Sequence, residues 1–171
     1  SDEEEPTKNR IFINNQGNYN ISSYEVLRET NTANVYNVIG NIDPNLNSFL
    51  DNNSDNNSQE YRYKVRLVDL CGNTSQDSEL HKTILLQSNI SQNNTINLNW
   101  SPYVGADIPS YKIYRKLNNE NYELLAEISS NSFIYNDQTA DTSLNSYEYY
   151  IAVQVDNCNT SSSKSSQKNN L

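Results

Sequence analysis

The chain has 171 residues, a formal net charge of −9, 35% hydrophobic and 10% aromatic residues, and a mean hydropathy of −0.85. The charge divides as −6 over residues 1–82 (13 acidic, 7 basic) and −3 over residues 83–171 (8 acidic, 5 basic), so neither half is built to neutralise phosphates and no nucleic-acid partner is expected. No apolar run approaches the roughly 20 residues that a membrane-spanning helix needs, so no membrane insertion is expected either.

In chain order, residues 1–7 open with the acidic run Asp2 to Glu5 and read as a solvated, disordered tail. Strand candidates follow at Arg10 to Asn14, Ser23 to Arg28, Asn34 to Ile42 and Ser48 to Leu50. From Tyr61 the alternation is strict. Tyr61, Tyr63, Val65 and Leu67 share one face, while Arg62, Lys64 and Arg66 share the other and are expected to oppose Glu25 and Glu29. Further candidates run over Thr83 to Ser88, Thr95 to Trp100, Ser110 to Lys116, Tyr122 to Ile128 and Ser132 to Tyr135, and Tyr147, Tyr149, Ile151, Val153 and Val155 form a last inner face. Clusters of Asn, Asp, Ser and Gly separate these runs, and no segment carries a 3.6-residue stripe. The pattern predicts an all-β chain built of sandwiches.

The same unit is written twice. Tyr61 to Ser75 (YRYKVRLVDLCGNTS) returns as Tyr147 to Ser161 (YEYYIAVQVDNCNTS), Ile21 to Glu29 as Ile108 to Lys116, and Tyr36 to Ile42 as Tyr122 to Ile128. Offsets of 84–87 residues are too long for solenoid repeats and fit whole small β domains, predicted at residues 8–82 and 83–171. The first copy has Ile13 where the second has Trp100, and the counterpart of Thr83 to Ser88 would precede residue 1. The first domain is therefore expected to lack its first strand, and the chain to be a piece of a longer protein.

The order Trp100, Tyr111-x-Ile113-x-Arg115, Phe133-Ile134-Tyr135-x-Asp137, Tyr147-x-Tyr149-x-Ile151 resembles the B, C, E and F strands of fibronectin type III domains and covers nearly all of residues 83–171. The resemblance implies two tandem fibronectin type III-like, immunoglobulin-like β-sandwiches. It places Trp100, Tyr111, Tyr147 and Tyr149 in the second core and Tyr61 and Tyr63 in the first, with Tyr147 or Tyr149 forming a corner hydrogen bond. The motif Asp69-x-Cys71-Gly72-Asn73-x-Ser75 is similar to tandem modules in surface and gliding-associated proteins of type IX secreting bacteria. That likeness implies a secreted or cell-surface location.

Cys71 and Cys158 occupy matching places near the last turn of each copy, about one module apart, on the order of 30 Å. A disulfide needs Cα atoms within roughly 7 Å, so both are expected to be unpaired within the chain, with a bridge to another module or chain left open. His81 and Lys82 fall at the junction, which contains no Gly or Pro; the two sandwiches are expected to be fixed end to end, with His81 a packing or hydrogen-bonding residue. A lone His with two distant thiols supplies neither a metal site nor an activated nucleophile, and four scattered glycines cannot cradle phosphate. No enzyme, metal or cofactor is expected, and the Asp51 to Ser58 run reads as a solvated loop rather than a calcium site.

The remaining candidate is a surface. Tyr114 and Tyr150 should face outward on neighbouring strands, with Leu125 beside them, as an aromatic face for a protein or glycan partner. The resulting expectation is a non-catalytic spacer and interaction module of a secreted, adhesion-type protein, contacting neighbouring domains of its parent chain. A recognition module using the aromatic face and an accessory module of a secreted hydrolase are the alternatives.

Overall fold

A computed structural model describes residues 7–13, 20–155 and 166–168. The tail at residues 1–6, the turn at residues 14–19 and the region of Cys158 lie outside the described residues. Every described regular element is a strand, so the chain is all-β as the alternation predicted.

The second sandwich is the complete one. One sheet holds β7 (Leu86–Ile90), β8 (Ile96–Trp100) and β11 (Ile134–Asp137) in the order β11-β8-β7; the other holds β9 (Ser110–Leu117), β10 (Glu123–Ser129), β12 (Tyr147–Val153) and β13 (Ser166–Lys168) in the order β10-β9-β12-β13. All pairings are antiparallel. Alternation sends one face of every strand into a single core, where Ile84, Leu86, Ile96, Leu98, Trp100, Tyr111, Ile113, Tyr147, Tyr149, Ile151 and Val153 are each 5% exposed or less. Trp100 meets Tyr111 edge-on at 5.6 Å. The first strand starts at Leu86 rather than Thr83, because Thr83 is engaged with the other sandwich: its N–H donates to the Tyr61 carbonyl at 2.9 Å.

Among the described residues the first sandwich repeats this plan with one strand fewer. β2 (Ile21–Glu29), β3 (Tyr36–Ile42), β5 (Arg62–Asp69) and β6 (His81–Lys82) form a sheet in the order β3-β2-β5-β6, and β1 (Asn9–Phe12) pairs only β4 (Ser48–Asp51). Register equates β1 with β8 and β4 with β11: Asn9 faces Asp51 as Ile96 faces Asp137. No described strand corresponds to β7. The consequence is thermodynamic. The fully buried cluster here is Val26, Ile42, Tyr61 and Tyr63, with Ile11, Ile13 and Phe49 only partly covered. Among the described residues none supplies the layer that Ile84 and Leu86 add to the second core.

Asparagine is abundant partly because the turns need it. Asn34, Asn94 and Asn118 hold positive φ of 63°, 60° and 51°, the left-handed region that Asn tolerates better than other side-chain-bearing residues. Gly40 serves a different need. It sits at the β2–β3 bulge under the Phe49 ring, and a Cβ there would overlap the ring.

Candidate interaction face and junction

The strand register brings Tyr114 and Tyr150 directly opposite one another on the outer face of the second four-stranded sheet. Their rings stack at 4.6 Å with planes 13° apart. Tyr122, just before β10, closes on Tyr150 edge-on at 4.8 Å, and its hydroxyl donates to Glu148 Oε2 at 2.9 Å. Lys116 completes the group, 3.2 Å from Glu148 and 5.4 Å from the Tyr122 ring centre. Burial first, and then the bond to Glu148, push the Tyr122 hydroxyl well above the usual phenol range, so it stays a donor at any physiological pH.

Leu125 is not beside the pair. A register shift between Leu124 and Ala126 rotates one residue out of alternation, so Leu125 packs against the core. Leu124 takes the place opposite Tyr114, 53% exposed. Both Leu124 and Tyr122 escaped the sequence reading because a bulge breaks the period of two and cannot be seen in composition. Stacking occupies one face of Tyr114 and one of Tyr150, and Tyr122 closes from the side. The sheet therefore presents ring edges, hydroxyls and Leu124 rather than a broad ring platform.

The same positions of the first sandwich are closed by charge. Leu27 and Lys64 stand where Tyr114 and Tyr150 do, and Leu27 is buried. Lys64 Nζ lies 4.8 Å from the Tyr36 ring centre, while Arg62 pairs Glu29 at 2.9 Å and Arg66 pairs Glu25 at 2.6 Å, as the cross-strand pattern predicted. The Asn34 backbone N–H and the Arg62 guanidinium hold the Glu29 carboxyl below its ordinary value.

Inside, each sandwich carries one matched polar network that the sequence reading did not assemble. Tyr149 donates to Asp137 Oδ2 at 2.8 Å, where Arg115 Nη1 also arrives at 2.9 Å; Tyr63 donates to Asp51 Oδ2 at 2.8 Å, where Arg28 Nη1 arrives at 2.7 Å. The two guanidiniums lie over Tyr147 and Tyr61, each 5.6 Å from the ring centre. Burial acts to raise the Asp137 carboxyl, but the bonds from Thr139, Arg115 and Tyr149 outweigh it and hold the group below its usual range. The corner bond falls to Tyr147, whose hydroxyl accepts from the Asp141 N–H at 3.0 Å, as Tyr61 does from Asp55 at 2.8 Å. Tyr61, Tyr63, Trp100, Tyr111, Tyr147 and Tyr149 are all buried.

Between the sandwiches the chain passes without a linker. His81 and Lys82 pair with Tyr63 and Arg62 in the first sheet, and the Lys82 N–H donates to the Val104 carbonyl of the second sandwich at 2.8 Å. The His81 ring lies over Gly105, where a Cβ would overlap it, and Nδ1 is 3.0 Å from the Tyr103 hydroxyl. Removal from water pulls the His81 pKa below its ordinary value. Lys82 is 8% exposed and its ammonium pairs Glu60 at 2.9 Å. The Tyr61 N–H donates to the Thr83 hydroxyl at 2.9 Å, returning the bond that Thr83 gives.

Cys71 is a free, exposed thiol in a turn closed by Asp69, whose Oδ1 accepts the N–H groups of Cys71 and Asn73, each at 2.8 Å. Among the described residues no three His, Cys, Asp or Glu side chains converge as metal ligands.

No protein-family model matches the sequence, and no curated protein matches it either. Three similar solved structures are the FN1–FN3 domains of chicken CNTN1 (11% identity, 85% of this chain and 55% of that one, TM-score 0.42), a two-domain fibronectin type III segment of chicken tenascin (11%, 87% and 85%, 0.41), and the central fibronectin-III array of RIM-binding protein (14%, 88% and 57%, 0.37). The chain spans little more than half the length of the first and third of these. The fold is a tandem of fibronectin type III-like sandwiches. That statement stands on this chain's own sheets: three strands against four in the second sandwich, with the order β11-β8-β7 and β10-β9-β12-β13.

Proposed function

We propose that the chain is a non-catalytic spacer and protein-interaction module of a larger extracellular or cell-surface protein. The observation that carries this reading is the junction. Two sandwiches share backbone bonds through Lys82 and Thr83, with an imidazole wedged over Gly105, so the pair transmits position and orientation instead of flexing about a tether. Among the described residues, nothing in this arrangement activates a nucleophile or positions an acid and a base. A tandem of this kind holds what lies at one end at a set distance from what lies at the other, and presents sheet faces on the way.

The Tyr114–Tyr150–Tyr122 group with Leu124 supports a second reading, in which that face recognises a partner. Ring edges, hydroxyls and one exposed leucine suit a protein surface, where tyrosine contributes large contact area at low entropy cost. Small-angle scattering together with residual dipolar couplings on the two sandwiches tests the spacer reading; independent alignment of the two would defeat it. A binding partner of the parent protein that loses affinity on Tyr150→Ser, with the fold retained, would establish the recognition reading.

A further inference from the structure

The outer face of the three-stranded sheet in the second sandwich is covered by side-chain amides. Gln87 and Asn89 stand on β7, Asn97 and Asn99 on β8 and Asn136 on β11, with Ile134 at one corner. Register sets them in two rows: Asn89, Asn97 and Asn136 across all three strands, and Gln87, Asn99 and Ile134 beside them. Among the described residues no charged side chain stands on this face, in a chain with 12 basic and 21 acidic residues. The charge-free edges are unusual, since exposed edge strands are commonly protected by charged side chains.

The amides are linked in one direction. Asn136 Nδ2 donates to Asn97 Oδ1, Asn97 Nδ2 to Asn89 Oδ1 at 3.0 Å, and Asn99 Nδ2 to Gln87 Oε1 at 3.2 Å. An amide offers two donors and two acceptor sites, so each row keeps spare groups of both kinds. Asn89 Nδ2, Gln87 Nε2, Asn99 Oδ1 and Asn136 Oδ1 have no protein partner among the described residues. Neighbouring strands are about 4.8 Å apart and same-face residues about 6.7 Å apart, giving a closely spaced lattice of donors and acceptors.

Comparison between the two copies shows that the fold does not require this face. The Arg–Asp–Tyr network and the corner tyrosines recur in both sandwiches, but the positions of Asn97, Asn99, Ile134 and Asn136 are Arg10, Phe12, Ser48 and Leu50 in the first. What both copies keep is what the sandwich needs. The amide face belongs to the second alone.

We propose that this face binds a neutral, hydroxyl-rich polysaccharide chain. Such a ligand carries closely spaced groups that both donate and accept, and no charge, which matches a lattice that does the same. An anionic glycan gains no cation here, and a protein partner would find Ile134 as the sole apolar anchor, 74% exposed. The site is separate from the aromatic face, which lies on the other sheet.

The test is retention of the chain on microcrystalline cellulose, on chitin, and in gels containing soluble neutral β-glucan or dextran. The expected result is retention on at least one of these, weakened tenfold or more in the triple variant Asn89→Ala, Asn97→Ala, Asn136→Ala. Glu79→Gln, an exposed side chain of the first sandwich outside both faces, should bind as the unmodified chain does. Near-ultraviolet circular dichroism confirms that each variant is folded. Failure of the parent chain to bind any of the four polymers overturns the proposal, as does binding that the triple variant leaves intact. Sedimentation showing a dimer that the triple variant abolishes would assign the face to a second copy and overturn it as well.

Discussion

Replacing Asp137 by Ala removes the acceptor at the centre of the second sandwich's polar network. The carboxylate is 1% exposed and accepts from Tyr149 at 2.8 Å, Arg115 at 2.9 Å and the Thr139 N–H at 3.0 Å. Without it a buried hydroxyl loses its partner and a three-quarters-covered guanidinium loses its counter-charge, keeping only Thr139 Oγ1 at 2.7 Å. Breaking a buried pair from one side costs about 3–5 kcal/mol, because the remaining charge stays desolvated. Tyr149→Phe leaves Asp137 with Arg115 and Thr139, so it should cost only about 0.5–1.5 kcal/mol. For domains of this size each kcal/mol shifts Tm by about 4–8 °C, so the gap of about 1.5–4.5 kcal/mol between the two variants corresponds to about 6–36 °C. The assay is built in: Trp100 is the sole tryptophan and is buried in this core, so its fluorescence follows the second sandwich alone. Asp51→Ala, the matching change in the first sandwich, should leave the Trp100 transition in place. Equal losses for Asp137→Ala and Tyr149→Phe would refute the argument, since the carboxylate would then be worth no more than one neutral hydrogen bond.

Acid should act through the same group. The Asp137 pKa is held below its unfolded value of about 3.8, so its contribution is fully present above that value and is lost as pH falls through the lower, folded one; Trp100 fluorescence should report falling stability of the second sandwich below about pH 4. His81 carries the opposite charge but the same sign of dependence. Its docked pKa lies below 6.5, so docking is favoured fully above that pH and weakens as pH falls through the docked value, which relaxation of the two sandwiches' amide signals should show as more independent tumbling between pH 7 and 5. Gly105→Ala should release the junction at all pH values, because φ of 136° and the overlapping imidazole both oppose a Cβ; unchanged alignment of the sandwiches would show that the His81 wedge is dispensable. Gly40→Ala, which drives a methyl into the Phe49 ring, should lower the stability of the first sandwich by about 1–3 kcal/mol in far-ultraviolet melting without moving the Trp100 signal.

Alternation and the repeat carry most of the architecture, because a period of two fixes which face of a strand meets the core. Tyr61, Tyr63, Tyr147 and Tyr149 could be placed inside on that basis alone. The pattern could not say which of Tyr147 and Tyr149 makes the corner bond, since both point the same way and the choice depends on where the loop to Asp141 returns. A single-residue bulge turns Leu125 inward, and β7 starts three residues later than alternation suggests, with Thr83 bonded to Tyr61 of the first sandwich instead. Asp51 and Asp137 were the least legible. A carboxylate inside a sandwich looks like an error until Arg28 or Arg115 is brought to it from a strand more than 20 residues away. The signal was nonetheless present, as the arginine, aspartate and tyrosine recur together at the spacing of the whole repeat.

As a spacer under load, the chain would be governed by the smaller described core of its first sandwich. Tension applied at its two ends passes through both sandwiches in series, and a series yields at its weakest member. Among the described residues the first sandwich's cluster holds four buried hydrophobic side chains against twelve in the second, so the first should let go while the second, with its Ile84 and Leu86 layer, still holds. The junction then governs recovery, since Lys82 and Thr83 clamp the first sandwich's last strand to its neighbour. After extension that strand is left on an intact template, so refolding begins from a fixed edge instead of a free chain.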